Sequence, residues 1–323
     1  MNPVIQARGL SKAFGKGPAA VSGLDVTVQR GVVYGLMGRN GAGKTTTLRL
    51  LMGLLRPDAG SARILGEDFW QAARELRQRV AYVSQAQQLP VWMTLSELGR
   101  YVAHFYPQWD RDLAKDLAVR WELPRDRAVS QLSGGEQRQV ALLLALATRP
   151  EVMLLDEPAA GLDPIARRSL LGGMVEALAR GDGCTVLFST HLISDLERVA
   201  DHVGIMDRGR ITTTGRLEDL LQSVRRVQVV FNEATPPAGF VVPGALRTQV
   251  SGPVVTAIVR SAGESPWEEL RRMPGVRVNV FPLGLEELFI DLFGREEELG
   301  RNGPRSESSE GWSNPLVVPD SGE

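Results

Sequence analysis

A glycine-rich segment near the N-terminus has the residue types and spacing of a phosphate-binding loop. Residues 38–45 read GRNGAGKT, which fits G-x-x-x-x-G-K-[ST] between a predicted strand and a predicted helix. Glycines let successive backbone N–H groups converge on phosphate oxygens at the positive N-terminus of a helix. Lys44 suits a bridge between β- and γ-phosphates, the Thr45 hydroxyl suits Mg²⁺, and Thr46 suits the α-phosphate. The predicted nucleotide-binding residues are Gly38, Arg39, Asn40, Gly41, Ala42, Gly43, Lys44, Thr45 and Thr46.

Two adjacent carboxylates follow an apolar run further along the chain. Val152–Leu155 reads as a short buried strand, and Asp156 and Glu157 come directly after it. An acid at such a strand end suits the Mg²⁺ shell, and we assign this role to Asp156. Glu157 would then lie beside the γ-phosphate, where a carboxylate accepts a proton from attacking water. Alone, the pair could equally be two solvated acids before Pro158; the loop at 38–45 favours the catalytic interpretation.

The segment LSGGE, residues 132–136, is a second candidate anion site. Ser133 offers a hydroxyl, and Gly134 and Gly135 offer N–H groups before an apolar helix that we expect to begin near Gln137. One nucleotide already has its phosphates held by the loop at 38–45. A second site of this kind therefore indicates that two copies of the chain meet across a nucleotide.

Together these motifs resemble the nucleotide-binding subunit of an ATP-binding cassette (ABC) transporter. GRNGAGKTT is similar to the family's Walker A motif, LSGGE to its signature, and VMLLDEP to its Walker B motif, in family order over residues 4 to 216. The resemblance implies ATP hydrolysis with ATP and Mg²⁺. It also implies that Gln85 of the Q-loop acts as a catalytic residue and Mg²⁺ ligand, and that His191 is the switch histidine. By the same resemblance, Asp163 of the D-loop contacts nucleotide and Phe14 stacks on adenine.

Some of these positions have a plainer interpretation or depart from the family pattern. Asp163 could be only a turn residue before a proline, and Gln85 alone would be a weak signal. Phe14 stands where tyrosine is common, which keeps ring stacking but loses the hydroxyl. Glu136 replaces a frequent glutamine and Arg39 a frequent proline. None of these changes removes a phosphate-binding group, so we expect an active ATPase.

Composition restricts the function classes further. The 323 residues include 37 Lys and Arg against 38 Asp and Glu, and this balance argues against a protein that mainly coats nucleic acid. The longest apolar run, Val140–Ala147, is far shorter than the roughly 20 residues of a membrane-spanning helix. The N-terminus lacks the apolar region of a secretory signal, and Cys184 is the sole cysteine. We therefore expect a cytoplasmic type of chain without an intrachain disulfide.

The alternation of short apolar runs with helical periods predicts an α/β fold. Residues 1–216 are expected to form a P-loop NTPase (ABC ATPase) core, to which the resemblance adds an antiparallel β subdomain and a helical subdomain at about 90–131. Residues 217–295 are expected to form a small C-terminal α+β unit, and 296–323 a disordered acidic tail. The predicted strands are Val32–Met37, Val152–Leu155, Thr185–Phe188, Val227–Phe231, Val254–Val259 and Val276–Phe281. The predicted helices include Lys44–Leu55, a periodic stretch from Leu95 to Phe105, Ser265–Met273 and Leu285–Phe293.

The segments STHLISDLE and LGLEELFIDLFG are similar to the ABC-2 type efflux branch of the family. That branch implies a membrane-spanning permease subunit, a second ATPase subunit (a homodimer) and a location on the cytoplasmic face of the cell membrane. It also implies export of drugs, lipids or polysaccharides, and no nucleic-acid partner is expected. Two alternatives stay open: a soluble ABC ATPase that acts outside transport, and the ATPase of an importer.

Overall fold

The computed structural model describes residues 3–86, 89–179, 183–232, 235–237, 239–260 and 267–287. Two compact units divide the chain, Met1–Thr214 and Gly215–Glu323. The predicted acidic tail at 296–323 lies outside the described residues, as do most of the predicted helix Leu285–Phe293 and the first two residues of Ser265–Met273.

The described part of the chain alternates strands and helices over most of its length. Its strands are β1 Pro3–Lys12, β2 Val21–Gln29, β3 Val33–Met37, β4 Ala59–Ile64, β5 Val80–Val83, β6 Val152–Asp156, β7 Thr185–Thr190, β8 His202–Asp207, β9 Arg210–Arg216, β10 Val224–Phe231, β11 Ala245–Ser251, β12 Val254–Arg260 and β13 Val276–Pro282. Its α-helices are α1 Lys44–Leu51, α2 Arg74–Gln78, α3 Leu95–Ala103, α4 Arg111–Arg120, α5 Gly134–Ala147, α6 Pro164–Ala179, α7 Ile193–Val199, α8 Leu217–Gln222 and α9 Trp267–Arg271. Short 3₁₀ turns occupy Phe69–Gln71 and Val129–Gln131.

A six-stranded sheet of order β5-β6-β7-β3-β8-β9 forms the centre of the first unit. Strands β5, β6, β7, β3 and β8 are parallel neighbours, and every residue of β6 and β7 is buried, as their apolar sequences predict. Register pairs Met37 with Thr190 and Asp156 with Ser189. The carboxyl ends of β3, β6 and β7 therefore meet at one edge of the sheet, where ligands bind in open α/β folds.

A second sheet, of order β2-β1-β4, is antiparallel and shares a hydrophobic core with the central sheet. This sheet matches the antiparallel β subdomain that the family resemblance implies. Val26 of β2, Leu48 of α1 and Leu154 of β6 belong to one buried cluster. The helix that carries Lys44 is thus fixed between two sheets, which gives the phosphate-binding loop a rigid base.

Between β5 and β6 the chain is helical, as predicted for about 90–131, although details differ. Helix α3 begins at a capping box in which Thr94 and Glu97 bond each other's backbone N–H groups. Leu95 and Leu98 are buried, but Tyr101 is exposed and the helix ends before the equally exposed Phe105. The periodic aromatic residues therefore do not continue the core.

The predicted helix Lys44–Leu55 is wrong at its C-terminal end. Helix α1 ends at Leu51 because Gly53 takes a left-handed conformation, φ 61°, and the Leu54 N–H donates to the Arg49 carbonyl. These features are those of a Schellman C-cap, in which a glycine reverses the chain. The apolar periodicity of the sequence continues beyond Gly53, although this glycine terminates the helix.

The second unit is built on an antiparallel sheet of order β11-β12-β10-β13. Three of its strands match predictions, while β11 was missed because its residues are mostly exposed and lack a clear apolar alternation. Trp267 and Leu270 of α9 pack with Val227, Val229 and Val255 on one face of the sheet. Helix α9 ends at Arg271, two residues before the end of the predicted helix Ser265–Met273.

None of the helices in the described ranges is long and apolar enough to cross a membrane.

Replacing Gly53 with alanine tests the C-cap of α1. A Cβ at Gly53 would lie 2.9 Å from the Trp70 backbone and would occupy a left-handed φ. We expect Gly53→Ala to lower the free energy of unfolding by about 2 kcal/mol, measured by urea denaturation. Gly66→Ala is the control, because Gly66 has φ 85° but open space around its Cβ position, so it should cost about 1 kcal/mol. Equal losses for the two variants would contradict the steric account.

Candidate active site

The loop between β3 and α1 is shaped by glycines that no other residue could replace. A Cβ at Gly38 would lie 2.5 Å from the Met206 carbonyl oxygen, and one at Gly43 would lie 2.2 Å from that of Ala20. Gly43 has φ 107° and caps α1 without any side-chain hydrogen bond. The N–H groups of the first turn of α1 therefore remain available for an anion at a positive helix N-terminus.

Lys44 is buried at the base of this loop and held by two kinds of partner. Its Nζ donates to the Gly38 carbonyl at 2.7 Å and lies 3.2 Å from Glu157 Oε1. The Lys44 and Glu157 side chains are each only 6% exposed. Burying this ammonium is therefore balanced by a carboxylate, as buried charges require.

Glu157 joins the loop to the end of β7. Its Oε1 pairs with Lys44, and its Oε2 lies 2.7 Å from Nδ1 of His191, whose side chain is 39% exposed. The backbone of Glu157 has φ 50°, a left-handed value that non-glycine residues rarely adopt, and its N–H donates to Ser189 Oγ. Such strain persists only where the surroundings impose it.

Beside the loop, the Asp156 carboxylate has one oxygen in hydrogen bonds and one buried oxygen without a hydrogen-bond partner among the described residues. Its Oδ1 accepts from the Thr45 hydroxyl at 3.0 Å and from the Ser189 hydroxyl at 2.8 Å. Its Oδ2 is buried and has no hydrogen-bond partner among the described residues. A carboxylate oxygen and a hydroxyl side by side suit a hard divalent cation, so Thr45 and Asp156 fit Mg²⁺.

Ser189 is a site residue that the sequence analysis missed. It donates to Asp156 and accepts from the Glu157 N–H, so it holds both acids at the strand end. The signal was its position directly after the predicted strand Thr185–Phe188 and two residues before His191. A lone serine in an apolar run does not reveal this without the pairing of β6 with β7.

The remaining predicted residues lie around this cluster. Gln85 is exposed two residues after β5, at the same sheet edge as Asp156. Phe14 is exposed in the loop after β1, with the Lys12 ammonium 6.0 Å from its ring centroid. Asp163 caps α6: its Oδ1 accepts from the N–H groups of Ile165 and Ala166. The cap is the plainer of the two roles considered for Asp163. Arg39, Asn40 and Gly41 are exposed on the loop, Ala42 is buried, and Gly43, Thr45 and Thr46 are half-buried.

The LSGGE segment forms the N-terminus of α5. The expected start near Gln137 is wrong by one turn, because Ser133 is the N-cap and Gly134 and Gly135 already belong to the helix. Ser133 Oγ accepts from the Glu136 N–H, and Glu136 Oε2 accepts from the Ser133 N–H at 2.7 Å. Hydrogen bonds from the Ser133 side chain and from the Ser133 backbone N–H lower the pKa of the Glu136 carboxyl.

A glycine loop before a helix, a lysine on a carboxylate and a strand-end acid beside a hydroxyl define a nucleotide-binding P-loop NTPase site. Comparison with known proteins narrows the class. The family model described as ABC transporter matches residues 21–160. The chain is 37% identical over 301 residues to the Nod factor export ATP-binding protein I of Burkholderia lata, which covers 90% of this chain and 97% of that protein.

Solved structures agree with the match to the ABC transporter family. An ATP binding subunit of an ABC transporter superposes with a TM-score of 0.60 at 29% identity, over 68% of this chain and 92% of that one. An ATP-binding cassette whose dimeric post-hydrolysis state holds ADP and Pi shares the fold, with a TM-score of 0.58 at 23% identity over 66% and 98% of the two chains. The chain belongs to the ABC transporter family as an ATP-hydrolysing, ATP-binding subunit.

Replacing Asp156 with asparagine tests the fit to Mg²⁺. Because the neutral amide loses the charge that a cation requires, we expect Asp156→Asn to weaken the Mg²⁺ enhancement of ATP binding by roughly 10–100-fold. Calorimetric titration of ATP with and without Mg²⁺ measures this, and binding without the metal should persist. Asp207→Asn, an exposed acid at the end of β8, is the matched control and should change neither titration. An unaltered Mg²⁺ response in Asp156→Asn would remove Asp156 from the metal site.

Proposed function

We propose that two copies of this subunit sandwich ATP and so power an ABC-2 type exporter. In each copy the loop 38–46 holds the phosphates, with Thr45, Asp156 and Gln85 around Mg²⁺. Ser133, Gly134 and Gly135 of the twin then bind the γ-phosphate from the opposite side. Ser133 is the N-cap of α5, so its hydroxyl and the N–H groups of Gly134 and Gly135 lie together at a positive helix terminus, which suits an anion.

The observation that carries the catalytic part is the Glu157 carboxylate, held between Lys44 and His191. Its two oxygens lie 3.2 Å from the Lys44 ammonium and 2.7 Å from the His191 imidazole, and a carboxylate held in this way can accept a proton from water. When a triphosphate enters the loop, Lys44 turns to the β- and γ-phosphate oxygens and frees Oε1. Glu157 then polarises the water that attacks the γ-phosphate in line.

His191 has a complementary part in this proposal. Its Nδ1 is committed to Glu157, so Nε2 is the nitrogen left to donate to the γ-phosphate. Mg²⁺, when bound, neutralises charge that develops on the phosphoryl oxygens. Phe14 offers an exposed ring for the adenine, and Asp163 at the start of α6 adds a further nucleotide contact from the twin interface.

The export direction is supported by the extent of the similarity. The match to the Nod factor export protein covers 90% of this chain, so it includes much of the second unit as well as the cassette. We infer a permease subunit in the membrane, a homodimer of ATPase subunits on its cytoplasmic face, and a cargo among drugs, lipids or polysaccharides. Exposed Tyr101 and Phe105, whose rings form an edge-to-face pair, suit docking of that permease.

Glu157→Gln tests the general base. The amide cannot accept the proton, so we expect turnover to fall by roughly 10²–10⁴ while ATP binding is retained. The trapped ATP state should sediment as a dimer, unlike the same variant with ADP. Steady-state ATPase assays and analytical ultracentrifugation provide the readouts. Hydrolysis at nearly the wild-type rate would show that Glu157 is not the base.

Ser133→Phe tests whether the signature acts on the twin's nucleotide. The ring should block the γ-phosphate across the interface, so hydrolysis should be lost while one copy still binds ATP through its own loop. Loss of the N-cap costs about 1 kcal/mol in addition, which leaves the fold intact. Ser130→Phe, an exposed position in the preceding 3₁₀ turn, is the control for bulk alone. Loss of ATP binding by isolated Ser133→Phe would place Ser133 in the same copy's site instead.

A further inference from the structure

A buried carboxylate supports the turn that carries His191. Asp195 on α7 is 4% exposed, and its Oδ2 accepts from the Thr190 hydroxyl at 3.2 Å. Thr190 is the last residue of β7, and its Oγ1 also accepts from the Leu192 N–H at 3.0 Å. The direction in which His191 leaves the strand is therefore set by hydrogen bonds that Asp195 anchors.

The other oxygen of this carboxylate faces an arginine on a different helix. Arg167 Nε, on α6, lies 3.8 Å from Asp195 Oδ1, within ion-pair range but too far for a hydrogen bond. Both atoms are buried, and neither has a hydrogen-bond partner in the described ranges. A buried N–H and a buried carboxylate oxygen without hydrogen-bond partners each cost free energy. A small approach of α6 to α7 would let these two groups form a hydrogen bond with each other.

The position of Arg167 connects this gap to the twin interface of the proposed function. The backbone N–H of Arg167 donates to the Asp163 carbonyl at 2.9 Å, so Arg167 lies one turn along α6 from the residue that caps the helix. Asp163 is the residue expected to contact nucleotide between the two copies. A shift of Asp163 on dimer closure would therefore move Arg167 with it, since both belong to the same rigid first turn.

We propose that Arg167 and Asp195 are a positioning pair whose closure, when two copies engage ATP, holds His191 in its place on Glu157 during hydrolysis. The inference rests on the proposed ATPase mechanism and extends it. The continuous series of contacts runs from Arg167 to Asp195, then through Thr190 to His191, whose Nδ1 is bonded to Glu157. Neither member of the pair touches substrate.

Burial also shapes the charge of this pair. It raises the pKa of the Asp195 carboxyl, and the charge of Glu157 acts in the same direction, while Arg167 and His191 lower it. Arg167 therefore favours the charged carboxylate at a place where burial opposes it. Removing either partner should leave the other an uncompensated buried group.

The test measures kcat and KM of ATP hydrolysis in purified variants of the full chain. We expect Asp195→Asn and Arg167→Gln each to lower kcat roughly 10–100-fold, because misplaced catalytic groups cost about this much. KM for ATP should stay within about twofold, since the phosphate-binding loop is untouched. The double variant should be no slower than either single one, because both act through one contact.

Asp195→Glu is the conservative variant that separates positioning from stability alone. Its extra methylene spans the gap to Arg167, so kcat should return to within about threefold of wild type. Controls are Glu197→Gln and Arg168→Gln, which change exposed charges on the same two helices and should leave kcat unaltered. Thermal melting of every variant shows that losses of kcat are not losses of folded protein.

Three outcomes would contradict the positioning role of Arg167 and Asp195. They are wild-type kcat in folded Asp195→Asn or Arg167→Gln, multiplied losses in the double variant, or Asp195→Glu as slow as Asp195→Asn. If Asp195→Asn does not fold, Arg167→Gln and Asp195→Glu decide the question. A wild-type chain without ATPase activity, or an active Glu157→Gln, would refute the proposed function instead. If Glu157→Gln is inactive as expected while the Arg167 and Asp195 variants keep wild-type kcat, only the positioning role is refuted.

Discussion

The ion pair between Lys44 and Glu157 is the interaction around which the active site is organised. Both side chains are almost fully buried, so neither charge would be tolerated alone. Their pairing ties the phosphate-binding loop after β3 to the acid after β6, and the second oxygen of Glu157 extends the link to His191 after β7. Three strand ends are thereby joined through one carboxylate. In the proposed mechanism, this pair couples phosphate binding by Lys44 to release of the Glu157 carboxylate, because Lys44 exchanges one anion for another.

Backbone conformation makes that pairing possible. Glu157 adopts a left-handed φ, and Gly43 lies so close to Ala20 that any side chain would collide with it. The first unit holds these conformations through a fully buried parallel sheet and the hydroxyl of Ser189, which satisfies a carboxylate and an N–H at once. Strain is thus concentrated at residues of the candidate active site, while the surrounding sheet stays regular. Asp195 and Arg167 lie at the same edge of the sheet. The 3.8 Å separation between them suits an element that moves during the proposed reaction cycle.

Many elements could be read from the chain because local patterns were strong. The apolar runs of β3, β6 and β7, and the glycine loop before α1, are patterns in which each residue type has a local physical reason. Predicted helix ends were wrong where a tertiary or capping interaction, rather than the apolar periodicity, determined where the helix starts or stops. Gly53 ended α1 within an apolar run, and the α5 cap at Ser133 placed two glycines inside a helix where a loop was expected. Strand β11 had too little buried surface to show in the sequence.

By itself the sequence determined the class of chemistry: a glycine cradle, a lysine, a threonine and two strand-end acids whose types and spacing suit phosphates and Mg²⁺. It also determined the alternation of elements, since period and burial are local properties. Only the tertiary structure decided which acid pairs with Lys44, that Ser189 joins both acids, and that Arg167 on one helix faces Asp195 on another. These contacts join residues that lie from 28 positions apart, for Arg167 and Asp195, to more than a hundred, for Lys44 and Glu157. Sheet register and helix packing bring them together, and no local spacing encodes either.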